Sequence, residues 1–268
     1  MTTYESSLIP NRTLGWRMGL RNMLSKENFA WWHTRRWWIQ ILVAALILNG
    51  SLALNLRDPM GAPVDLQAIN YLNTSALFVP IIIVVLAQDA ILGERHSGTT
   101  SWVLSKPLKR PAFILSKLIA YGLGFLVTWV LIPNIIFYFQ LVAAGREGLS
   151  LPGFIGLIAL SYLNLLFYLS LALMLATLFN SRAPGLGISL LIAWTGPMQL
   201  LTRPMEKYVP WLEDILPWKL ISGFGEPPLA GYLALGAHLP TVLPIIATVL
   251  WCVLFVVVAI WRISREEF

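Results

Sequence analysis

Six apolar runs alternate with polar stretches along this chain, at about 39–56, 72–92, 118–143, 152–179, 185–202 and 240–261. A helix needs roughly 20 apolar residues to cross about 30 Å of hydrocarbon, so the pattern predicts an all-α polytopic membrane protein with six transmembrane helices. The first and fifth runs are short for a crossing, and the fourth is long enough to tilt or project. Pro80 and Pro133 fall inside the second and third runs, where each removes a backbone donor and favours a kink. Gly122 and Gly124 permit close helix approach in the third.

Segment 1–38 has a different period. Trp16, Leu20, Met23 and Leu24 recur at helical spacing, with Arg17, Arg21, Asn22, Ser25 and Lys26 on the other side. This predicts an amphipathic helix over 14–28, suited to the headgroup layer. Trp31, Trp32, Trp37 and Trp38 surround Arg35 and Arg36 as an interfacial belt ahead of the six-span region 39–268. Segment 203–239 is too apolar for a plain linker. Tyr208, Trp211, Leu212, Ile215, Leu216, Trp218, Leu220 and Ile221, broken by Pro210 and Pro217, predict short interfacial helices capping the fifth and sixth spans.

Composition agrees with a bilayer as solvent: 57% of residues are hydrophobic and 12% charged, with mean hydropathy +0.70. A soluble domain carries about 25% charged residues. The net charge of +6 does not point to nucleic acid, because the bases lie between apolar runs and not along one polar face. Of the 19 Lys and Arg residues, 14 lie before the first run, after the last, or in alternate loops between. The positive-inside bias places that side, and both termini, in the cytoplasm, here that of a bacterial inner membrane. The first 30 residues hold no apolar stretch, so no cleavable signal peptide is expected.

Several chemistries have no residues to perform them. The lone Cys252 cannot form an internal disulfide, and His33, His96 and His238 are far apart. No nucleophile elbow, zinc-protease motif or P-loop occurs. Within the six runs the only acid is Asp89, near a cytoplasmic end, which disfavours a proton-coupled carrier. Asn49, Asn55, Asn134, Gln140, Asn164 and Gln199 can line a pathway or satisfy one another between helices. No catalytic residue, metal or cofactor is expected in this chain, so energy for any work must come from another protein.

The cytoplasmic loop 93–117 reads GERHSGTTSWVLSKPLKRPAFILSK. Gly98 releases the chain from the second span, and Thr99 or Thr100 can cap a new helix. Trp102, Val103 and Leu104 give that helix an apolar edge, Pro107 stops it, and Pro111 is placed to open the third span. The run Glu94-Arg95-x-x-Gly98-Thr99, followed by Leu104-Ser105-Lys106-Pro107 and Lys117, resembles the corresponding loop of ABC-2 type transporter permeases. Ser101-Trp102 and Lys106 depart from that family's usual residues, which bears on partner choice.

The resemblance implies a permease subunit, with no enzymatic activity of its own, energised by a cytosolic P-loop ATPase that holds ATP and Mg. It also implies a second permease subunit, identical or homologous, surrounding membrane lipid, and export as the direction of transport. Carried onto this chain, Gly98, Thr99, Thr100, Ser101, Trp102, Val103 and Leu104 form the coupling helix, braced by Glu94 and Arg95. The alternative reading is a non-transporting membrane anchor or assembly subunit of a larger complex.

Overall fold

The computed structural model describes residues 19–57, 63–98, 108–145, 150–198, 200, 204, 208–223 and 227–265. Helix α1 (Leu20–Trp32) precedes α2 (Arg36–Arg57), α3 (Val64–His96), α4 (Arg110–Ala143), α5 (Leu151–Leu178) and α6 (Arg182–Thr195). A 3-10 turn (Pro210–Ile215) and the short helices α7 (Trp218–Ile221) and α8 (Leu229–Ala234) lead to α9 (Leu243–Arg265). The described residues contain no strand.

Five of these helices are long and apolar enough to cross a membrane: α2, Leu66–Arg95 within α3, α4, α5 and α9. The expected fifth run, 185–202, differs. It forms α6, whose 14 residues extend about 21 Å, less than the hydrocarbon thickness. Pro184, Gly185 and Gly187 crowd its first turns, and the chain turns at Gly196–Met198.

The buried centre is α5, with 67% of its span residues buried, against 22% for α9. Helices α3, α4, α6, α8 and α9 all pack on it. Ser150 starts α5 by accepting a hydrogen bond from the Gly153 amide, the usual service of a serine cap. On the periphery, Leu46, Leu54, Leu191 and Leu250 are each more than half exposed. A row of such aliphatics is stable only against lipid or another apolar surface.

Helices α2 and α4 share a distortion. A π turn occupies Ala45–Asn49 in one and Leu126–Leu131 in the other. Pro133 has no N–H for the carbonyl one turn back, and the widened turn just before it absorbs that defect. Polar side chains then tie the two helices together. Asn49 Nδ2 donates to the Pro133 carbonyl at 2.9 Å, and Gln140 Nε2 donates to the Asn49 carbonyl at 2.9 Å. Thr128 and Trp129 both donate to Gln40 Oε1, at 3.2 and 3.1 Å. Asn134 bonds its own helix at Val130. These polar residues satisfy helices; Gln199 lies outside the described residues. Pro80, by contrast, leaves α3 a single continuous helix.

At the opposite end from loop 93–117, segment 208–239 covers the helix ends. Its Leu220, Ile221, Leu229 and Ala230 are buried. Asn73 brackets the Gly223 backbone, Trp218 Nε1 donates to the Tyr168 hydroxyl, and Trp251 Nε1 donates to the Ile215 carbonyl. The sequence predicts a cap over the fifth and sixth runs; the hydrogen bonds of this segment reach α3, α5 and α9.

Candidate functional site

The two helices that enter and leave loop 93–117 are both longer than a crossing requires. At 33 and 34 residues, α3 and α4 exceed the roughly 20-residue minimum by three turns or more. Their charged residues Glu94, Arg95, Arg110 and Lys117 sit in the excess, at the end they share. Gly98, at φ +69°, terminates α3 in the left-handed conformation that glycine adopts without penalty.

Glu94 lies within a closed ring of charges. Its Oε1 meets Lys26 Nζ at 2.7 Å and its Oε2 meets Lys117 Nζ at 3.0 Å. Lys117 also donates to Glu27 Oε1 at 3.1 Å, and Lys26 stands 3.8 Å from the same oxygen. Two acids and two bases alternate, so the ring is neutral. Lys117 is 1% exposed and Glu27 8%, a depth at which charges persist only when paired. Burial works against the Lys26 ammonium, but Glu94, with Glu27 behind it, more than offsets this and raises its pKa.

Sequence reading missed this ring. It placed Lys117 in the loop and gave Glu27 no role. A signal existed, because Met23, Glu27 and Trp31 lie four residues apart and form the buried stripe of α1. That stripe packs on α4, so this face of the N-terminal helix meets protein. Gly124 makes room for it: a side chain there would collide with the Trp31 indole. Trp16 lies outside the described residues.

Arg95 acts on a different neighbour. Its guanidinium donates to the carbonyls of Ala176, Thr177 and Phe179 at 3.3–3.4 Å. These are the last carbonyls of α5, left without helical donors and at the negative end of its dipole. Arg110 does the same for α9, donating to the carbonyls of Ile263 and Ser264 at 2.9 and 2.8 Å. Asp89, the one acid within the apolar runs, meets Arg182 at 2.7 Å. Leu108, at the return of the loop, packs where a side chain on Gly19 would stand.

Of the expected coupling residues, the structure therefore places Glu94, Arg95 and Gly98 together at the end of α3. Thr99, Thr100, Ser101, Trp102, Val103 and Leu104 lie outside the described residues. Among the described residues no three His, Cys, Asp or Glu side chains converge as a metal site would require.

Comparison with known proteins gives this helical frame its family. The model of the ABC-2 family transporter protein matches residues 16–268. The chain belongs to the ABC-2 transporter family. Two relatives agree. A probable ABC transporter permease protein NosY of Stutzerimonas stutzeri is 30% identical over 202 residues, covering 67% of this chain and 70% of that protein. The NosY of Pseudomonas aeruginosa is 26% identical over 257 residues, covering 84% and 87%. This ABC-2 protein is accordingly a multi-pass membrane permease subunit of an ABC transporter, a type that associates with an ATPase subunit.

Proposed function

We propose that this chain is the permease of an ATP-driven exporter and that loop 93–117 is where its cytosolic P-loop ATPase docks, through a coupling helix at Gly98–Leu104. The observation that supports this most is the anchoring of both loop ends: Glu94 joins α1 and α4, Arg95 joins α5, and Arg110 joins α9. A push on the loop would move these helices as a unit. ATP and Mg belong to the ATPase, a second permease subunit completes the pathway, and export is the direction the family resemblance implies.

The same reading has six crossings with both termini in the cytoplasm and α1 at the inner membrane interface. Three contacts support it. Arg182 opens α6 beside Asp89, near the loop end of α3, and the end of α9 lies against Arg110 at that same end. Trp218 and Gly223 lie at the far end, on α5 and α3. These positions support a sixth crossing between Arg182 and Trp218 that includes α6.

Purification of the tagged protein in mild detergent, with mass spectrometry of what accompanies it, tests the docking. A stoichiometric P-loop ATPase is expected with the native chain and not after deletion of Thr99–Leu104, with membrane insertion preserved in both. Retention of the ATPase by the deletion variant would refute the docking site. Recovery of other membrane subunits and no ATPase would favour an assembly subunit.

A further inference from the structure

Directly beneath the charge ring, a cavity of about 560 Å³ opens between two groups of helices. One wall comes from α1, the start of α2 and α4, including Trp31, Arg36 and Ile39. The other comes from α3 and α6, including Val85, Gln88 and Arg182.

Two acids and two bases line it, and both acids are already paired. Glu27 is engaged by Lys117 and Lys26, and Asp89 by one nitrogen of Arg182. Arg36 has no acid or hydrogen-bond acceptor among the described residues, and Arg182 engages Asp89 through one of its guanidinium nitrogens. Gln88 is 2% exposed, yet neither of its amide atoms has a hydrogen-bond partner, and the buried indole N–H of Trp31 has none either. Leaving such buried groups without partners is costly. Two guanidinium groups with two buried donors suit an anion, and the planar fork of arginine suits a phosphate in particular.

The remaining lining separates a soluble anion from an amphiphile. Ile39 and Val85 are each nearly half exposed at the cavity, with Leu86 and Leu186 beside them. A free phosphate gains nothing from aliphatic walls, whereas an acyl chain does. The cavity also lies where the charged helix excess gives way to apolar residues, next to the belt of Trp31, Trp32 and Trp37, at headgroup level.

We propose that this cavity is a binding site for an anionic phospholipid of the inner leaflet, its phosphodiester held by Arg36 and Arg182 and its acyl chain along Ile39, Val85 and Leu186. Bound there, the lipid links the α1–α2–α4 wall to the α3–α6 wall. The inference goes beyond the permease assignment and needs no ATPase for its test.

Native mass spectrometry of the detergent-purified full chain, titrated with phosphatidylglycerol, phosphatidylcholine or inorganic phosphate, reads the site directly. One phosphatidylglycerol per chain is expected to persist where phosphatidylcholine does not. R36Q/R182Q should weaken it by about tenfold or more, while K109Q/R265Q, two exposed cations at the same end, should not. Equal loss in both double variants would overturn the site in favour of general surface charge. Displacement by inorganic phosphate, with no preference between the lipids, would make it a soluble-anion pocket and overturn the lipid. A photoreactive phosphatidylglycerol on the wild-type protein covers any folding defect of the variants. It should label 30–39, 85–89 and 182–186; labelling confined to other faces, or abolished in a dimer whose second copy fills the cavity, would overturn the proposal.

Discussion

Lys117 is the most deeply buried charge at the shared end of α3 and α4. Its ammonium is fully buried between two carboxylates, and removing one member of a buried ion group strands the others. Lys117→Met should destabilise the protein by about 3 kcal/mol or more, seen as a large fall in Tm in detergent. Lys26, 47% exposed, is held in the same ring but screened by water, so Lys26→Met should cost under about 1 kcal/mol. Comparable losses from both would mean that the ring is not buried in the membrane-embedded protein. Arg95 differs again, because its fork serves three carbonyls at once. Arg95→Lys should lose most of that capping, about 1.5–3 kcal/mol, although the charge is kept. Thermal unfolding of the two Arg95 variants, to Lys and to Leu, checks this: near-native stability of the Lys variant would argue for charge alone.

Between elements, the close approach of α1 to α4 and the tie between α2 and α4 make one assembly of three helices. Gly124→Val should push Trp31 off its seat at about 1–3 kcal/mol, with a shifted tryptophan emission reporting the displacement. Asn49 Nδ2 also donates to Gln140 Oε1 at 3.2 Å, a modest membrane hydrogen bond, so a double-mutant cycle with Asn49→Leu and Gln140→Leu should return a coupling of about 0.6 kcal/mol. A value near zero would mean that water or lipid replaces either partner freely. Hydropathy made the long helices visible because crossing imposes a length and a composition that few other structures share. It overstated the run at 185–202, where apolar residues continue past the turn at Gly196 and composition alone cannot see the turn. The ring was hidden for another reason: Glu27 and Lys117 are 90 residues apart, and no local period reports a partner at that distance. The capping by Arg95 and Arg110 was equally invisible, since its acceptors are backbone carbonyls that any sequence provides.

For the whole molecule, the number of crossings decides which surfaces meet the cytoplasm. Six crossings place Arg265 and Lys26 on the same side; five would place them on opposite sides. Alkaline phosphatase fused after Arg265 should be inactive and green fluorescent protein fused there fluorescent, with the opposite pattern for insertions between Tyr208 and Trp211. An active phosphatase at the C-terminus would remove α6 as a crossing and with it the shared inner end.

Glu94 and Arg95, before Gly98, and Arg110, after Leu108, hold the two ends of loop 93–117. A graft with breakpoints at these two positions would exchange only 99–107 and leave the anchoring contacts in place. If the loop docks a motor as proposed, its two held ends are fixed posts, and a tip exchanged between them should change the partner while the posts still carry the load.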